Sequence, residues 1–151
     1  MGAEVQEGIK GQRMTPTHNT TPASNTCPFC TLQAEAPTRI RAQNKHAFLM
    51  DDGYPVTQGH SLIIPKRHIA SFFDATEEER HAMLALVDEA KTELDAQYQP
   101  AGYNLGINDG PAAGQTVMHL HVHVIPRYAE EGVDPRGGVR WVVAEKAKYW
   151  D

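Results

Sequence analysis

The sequence predicts an α+β fold with an antiparallel sheet, on three observations. Short β-branched and aromatic runs recur between Asp-, Gly- and Pro-rich turns, one long segment has helical periodicity with its own start and stop signals, and the connections are short. At 151 residues, 40% of them hydrophobic, the chain suits a single domain with a modest core.

Residues 1–25 are rich in Thr, Asn, Gly, Gln and Pro without apolar periodicity, so they read as a disordered tail before a domain over 26–151. Met14 reads as the natural start, with Met1–Arg13 as a leader or alternative start outside the fold. "TRIRAQ" and "HAFLMD" read as the first two strands, and "DDGYPVTQGH" as the turn after them. "HSLIIPKRH" is a third strand, halted by Pro65. The long helix is "DATEEERHAMLALVDEAKTELDAQY". Thr76 and Glu79 suit a capping box, Glu77 and Glu78 suit the positive end of the dipole, and Met83, Val87, Ala90 and Leu94 share a face. Pro100 and Gly102 end it. "YNLGIND" and "TVMHLHVHVIP" are the fourth and fifth strands around the loop "GPAAGQ", and "GGVRWVV" reads as one more short extended piece.

The formal net charge is −5, with acids and bases interspersed and no basic stripe, which argues against a nucleic-acid partner. No apolar run approaches the roughly 20 residues needed to span a bilayer, and the N-terminus lacks the order of a secretory signal. A cytoplasmic location with no membrane partner is the expectation.

In "MHLHVHVIP", strand geometry would put His119, His121 and His123 on one face with Val117 and Ile125, and Met118, Leu120, Val122 and Val124 on the core face. Neighbouring imidazoles would lie roughly 6–7 Å apart. Three readings compete. One is a solvated strand face, although three histidines in register are unusual. Another is a catalytic zinc site on an H-x-H pair. The last is nucleophilic catalysis at phosphorus, because a neutral imidazole is a good nucleophile near pH 7. Periodicity alone leaves the choice open.

"HLHVHVI" resembles the signature of the histidine triad (HIT) family: His, apolar, His, apolar, His, apolar, apolar. Upstream, "DGPAAGQTVMHLHVHVIPR" looks like the fragile-histidine-triad branch of diadenosine polyphosphate hydrolases, while "IIPKRH" and "CPFC" look more like bacterial-type HIT proteins. The resemblance spans Cys27 to Arg127 and implies a five-stranded antiparallel sheet with one long helix and a shorter one, as a homodimer. It also implies a covalent nucleotidyl-histidine intermediate.

Carried over by position, His121 is the implied nucleophile at the α-phosphorus, its other nitrogen held by a backbone carbonyl near the first triad histidine. His123 and His60 match residues that cradle the phosphate. Gln115 and Thr116 resemble residues that contact the phosphate and bridging oxygen, Asp52 matches the partner of the ribose hydroxyls, and Asn108 matches a polar position flanking the phosphate. Without the resemblance, Asp52 and Asn108 would read as turn formers.

"CPFC" has three readings: a redox pair, two idle thiols, or half of a structural zinc site that His68 and His119 complete. Bacterial-type HIT proteins bind zinc with that pattern, so the resemblance implies the zinc site Cys27, Cys30, His68 and His119. His119 then belongs to the metal and His121 and His123 to the chemistry.

The expected activity is hydrolysis at the α-phosphate of dinucleoside polyphosphates or related nucleotidyl compounds, with Mg²⁺ or Mn²⁺ accompanying a polyphosphate. The alternatives are a purine nucleoside phosphoramidate hydrolase and a nucleotide-binding scaffold with incidental catalysis. A uridylyl-type transferase is the outsider, because Leu120 stands where its pattern has Pro.

Overall fold

The computed structural model describes residues 27–151, so the tail expected over 1–25 lies outside the described residues. Five strands form one sheet: β1 (Ile40–Gln43), β2 (Ala47–Asp51), β3 (Ser61–Pro65), β4 (Gly102–Gly106) and β5 (Val122–Arg127). Their order is β1-β2-β3-β5-β4, and every pair is antiparallel. Three α-helices accompany them: α1 (Pro28–Glu35), α2 (Glu77–Tyr98) and α3 (Ala144–Ala147). Among the described residues no helix is long and apolar enough to cross a membrane.

β2 and β3 are buried almost throughout because both sheet faces are covered. Ala47, Leu49 and Ile63 join Met83, Leu86, Ala90 and Leu94 of α2 in one core. Phe48, Met50, Leu62 and Ile64 point the other way and pack with Cys27, Phe29 and Leu32 at α1. Strand alternation thus splits the apolar runs between two layers.

The long helix starts as its sequence dictates. The Thr76 hydroxyl accepts from Glu79 N–H at 3.2 Å, and Glu79 Oε2 accepts from Thr76 N–H at 2.8 Å, closing the capping box. Arg67 clamps the same buried carboxylate with two bonds of 2.7 Å. Of the expected face, Met83, Ala90 and Leu94 are buried and Val87 packs at its margin.

Three expectations need correction. The fifth strand begins at Val122 rather than Thr116, because the chain bends over 117–119 and Leu120 N–H donates to Ile69 O at 2.6 Å instead of joining the ladder. Met118 therefore lies 42% exposed instead of facing the core. Pro37–Arg39 form a 3₁₀ turn, so β1 starts only at Ile40. "GGVRWVV" is not extended: Gly137 and Gly138 take φ of +90° and +47° and turn the chain into the 3₁₀ helix Gly138–Val142. The long helix and the shorter one that the resemblance implied are α2 and α1, and α1 starts inside "CPFC" on Pro28, whose fixed φ suits a first helical position.

Gly59 delivers the chain from the β2–β3 loop into β3. It has φ +84°, and a Cβ there would stand 2.7 Å from Leu94 Cδ2 of α2. Left-handed strain of about 1–2 kcal/mol and a similar overpacking cost add, so Gly59→Ala is expected to destabilise by about 2–4 kcal/mol. Urea unfolding measures it, and a loss under about 0.5 kcal/mol would mean that loop and helix separate freely.

Candidate active site and metal centre

A cleft of about 750 Å³ opens between α1, the sheet and the β2–β3 loop. Phe29 and Leu32 of α1 and Met50 and Leu62 of the sheet give it apolar walls, and Asp52, His60, Asn108, Thr116, His121 and His123 are its polar lining. That volume and mixture suit a small ligand with an apolar body and a polar end. Six of the seven residues assigned to catalysis and nucleotide binding thus meet on one cleft.

Gln115 does not. It is 5% exposed, its amide donates to Ala70 O at 2.9 Å and Val117 O at 3.1 Å, and its Oε1 accepts from Gly110 N–H at 2.8 Å. Both amide protons are spent on backbone, so Gln115 holds the loop that carries Asn108 and Thr116 from behind the cleft wall.

The triad histidines are set by their backbone partners. His121 Nδ1 lies 2.8 Å from the carbonyl oxygen of His119, which can only accept, so Nδ1 carries the proton and Nε2 keeps its lone pair. His119 Nε2 likewise donates to Pro65 O at 2.8 Å, leaving its Nδ1 lone pair free. His60 is opposite: its Nδ1 accepts from Val56 N–H at 3.2 Å, so its proton sits on Nε2, 2.9 Å from His123 Nδ1. His123 therefore presents an Nε2–H, and this buried atom has no partner among the described residues. Asp52 Oδ2 lies 3.3 Å from His60 Nε2, while Asp52 Oδ1 accepts from Tyr54 N–H at 2.8 Å.

Electrostatics favour the neutral forms of His123 and His60. Burial, then the His121 and His60 rings, push His123 down to about 4, and burial outweighs Asp52 to lower His60 as well.

Among the described residues, two clusters have donor atoms within 4.8 Å of one another: Cys27, Cys30, His68 and His119, and Asp52, His60 and His123. In the first, Cys27 Sγ and Cys30 Sγ stand 3.4 and 3.6 Å from His119 Nδ1, and Cys30 Sγ is 3.4 Å from His68 Nδ1. A tetrahedral Zn²⁺ with Zn–S about 2.3 Å and Zn–N about 2.05 Å has S···N edges of about 3.5 Å, so the donors already have the right spacing. Burial, then Cys27, raises the Cys30 thiol to about 11, and a bound cation is what would let both sulfurs ionise. The second cluster does not suit a metal, since His60 Nε2 holds a proton where a ligand needs a lone pair. The Mg²⁺ or Mn²⁺ expectation gains no support here either, because Asp52 and Glu35 are the only carboxylates among the lining residues.

Phe29 was missed by the sequence reading. It lies between the two cysteines, lines the cleft and packs edge-on against His119 and His121, with centroids 5.8 and 5.4 Å apart. Helical spacing within "CPFC" could have revealed it, had α1 been read there.

The family model for the HIT domain matches residues 33–130. The chain belongs to the HIT family. An uncharacterized 16.1 kDa HIT-like protein of Mycoplasma pneumoniae is 38% identical over 107 residues, 70% of this chain and 74% of that protein. Adenylylsulfatase HINT3 of Arabidopsis thaliana is 33% identical over 104 residues, 68% of this chain and 53% of that protein. A crystal structure of a Zn-bound histidine triad family protein from Mycobacterium smegmatis superposes with a TM-score of 0.65 at 32% identity, covering 72% of this HIT chain and 80% of that one.

The lowered His123 fixes a sign for stability. Between pH 6.5, the ordinary value, and about 4, the unfolded chain takes up a proton that the folded site refuses. The contribution is complete above pH 6.5 and declines as pH falls toward 4. Urea midpoints at pH 7.5 and pH 5 should therefore drop more for the wild type than for His123→Asn, and equal drops would place the His123 titration at its ordinary value.

Proposed function

We propose that this HIT protein hydrolyses nucleotidyl compounds through a covalent nucleotidyl–His121 intermediate. The observation that carries the reading is the 2.8 Å bond from His121 Nδ1–H to His119 O, which leaves Nε2 unprotonated on a side chain lining the cleft. Nε2 forms a bond to the α-phosphorus as the bond to the leaving group breaks and its electron pair departs with that group. Water then attacks phosphorus as the P–N bond breaks and returns its electron pair to Nε2, and the nucleoside monophosphate leaves with the water's oxygen while the water's proton passes to solvent. His123 Nε2–H donates to a phosphoryl oxygen as charge builds, fed through Nδ1 by His60 Nε2–H, with Asn108 and Thr116 beside the phosphate. Asp52 accepts from the ribose hydroxyls, and Phe29, Leu32, Met50 and Leu62 take the base.

The His60–His123 pair also bears on substrate class. Burial lowers both rings toward the neutral form, so the pair gives hydrogen bonds more readily than protons and favours leaving groups that depart as anions. A polyphosphate or a sulfate leaves that way, whereas the amine of a phosphoramidate needs a proton. Dinucleoside polyphosphates and adenylylsulfate are accordingly preferred over phosphoramidates. The name of the Arabidopsis relative points to the same chemistry.

Cys27, Cys30, His68 and His119 hold a structural Zn²⁺ in this proposal. With four protein ligands the ion has no open position for water and supplies rigidity rather than Lewis-acid chemistry. The homodimer that the resemblance implies belongs to the same proposal, and sedimentation equilibrium checks it.

Replacing His121 by Ala is expected to lower kcat on diadenosine tetraphosphate on the order of 10⁴-fold, while AMP binding by calorimetry stays within about threefold. Acid quenching of the wild type with labelled substrate should trap nucleotide on His121, and full turnover by the variant ends the reading. Elemental analysis is expected to find one zinc per chain, lost in Cys30→Ser, whereas zinc-free, fully stable wild type would remove the metal centre.

A further inference from the structure

We infer that the metal centre positions the nucleophile: the Cys27, Cys30, His68 and His119 cluster fixes His119, and the carbonyl of His119 fixes the ring of His121. The inference rests on His121 being the nucleophile and assigns the cluster a part in the reaction that stability alone does not include.

His119 is tied at three points. Its Nδ1 faces the two sulfurs at 3.4 and 3.6 Å, its Nε2–H donates to Pro65 O at 2.8 Å, and its own carbonyl receives His121 Nδ1–H at 2.8 Å. A fully buried ring held at both nitrogens leaves its backbone little freedom, and that backbone oxygen decides which nitrogen of His121 is free.

The sheet does not do this work. β5 begins at Val122, so the His119 carbonyl lies ahead of the ladder, in a segment anchored to its surroundings by Leu120 N–H on Ile69 O at 2.6 Å. A second route runs through α1. Cys27 is the N-cap of this short helix and makes no side-chain capping bond, so ligation of its thiol adds a tie at the helix start to the packing of Phe29 and Leu32. Between them Phe29 presses edge-on against both His119 and His121. Ligation of Cys27 and Cys30 therefore sets the ring wall beside the nucleophile as well as the carbonyl beneath it.

Long-range ¹⁵N–¹H NMR of ¹⁵N-histidine-labelled full chain reads the tautomer of His121 with zinc present and after chelation at neutral pH. The loaded protein is expected to show one tautomer, protonated at Nδ1, and the stripped protein an exchange average of two. Over the same titration kcat should fall between about 10- and 100-fold with KM within threefold. Reloading with Co²⁺ should restore both, alongside the absorption bands of a tetrahedral thiolate site. A single His121 tautomer that survives zinc removal in a folded chain overturns the inference, as does a kcat that ignores occupancy. Should the stripped wild type unfold, His68→Asn keeps three ligands and lowers affinity, so tautomer and occupancy can be followed together. A tautomer fraction independent of occupancy there is equally fatal. If instead the tautomer follows zinc but no nucleotide is ever trapped on His121, the proposed function fails and the positioning stands.

Discussion

Backbone groups choose which nitrogen of each buried imidazole is available, and both sites depend on that choice. Pro65 O takes the Nε2 proton of His119 and turns its Nδ1 toward the thiols; His119 O takes the Nδ1 proton of His121 and frees its Nε2 for the cleft. Val56 N–H does the converse to His60 and sends its proton toward His123. A side-chain partner could titrate or swing away, but an amide carbonyl or N–H can neither change role nor leave its chain. Two clusters of similar compactness are told apart on this basis, one suited to a cation and the other to a phosphate.

The two-sided sheet explains why these backbone groups are where they are. The α2 face takes Leu49, Ile63, Val122 and Val124 and provides most of the core, leaving the α1 face with a thinner layer and room for a cleft. His123 sits on β5 opposite Leu62, where the alternation that sends Val122 and Val124 into the α2 core turns it to the α1 side. His60 arrives from the loop through Gly59, whose missing side chain lets Leu94 of α2 come close. The main helix thus shapes the candidate cleft from the far layer.

Much of this was legible in residues with strong local rules. Thr76 and Glu79 announce the helix start because capping is a local interaction, and the short apolar runs at Phe48–Met50 and Leu62–Ile64 announce buried strands. Elsewhere tertiary contacts prevail over pattern. Alternation from Val117 to Ile125 suggests an unbroken strand, but the carbonyl of Ile69, distant in sequence, captures Leu120 N–H and bends the chain. Of the site, residue types and their meeting on one cleft could be read from motifs, since both are properties of the HIT pattern. The backbone bonds of Gln115, the tautomers and the place of Phe29 could not, because they depend on groups tens of residues away.

The strand order has a temporal side. β5 is the last strand in the chain, yet it lies between β3 and β4, and it is the sheet neighbour of β4. During synthesis β1, β2 and β3 can assemble as a meander while β4 waits beside a gap. Closing that gap brings together residues about sixty positions apart, as in the pairing of Leu62 with His123. Because β5 is made after the other four strands, the sheet and the set of triad imidazoles are complete only once it is in place, and a chain stopped before Val122 has neither.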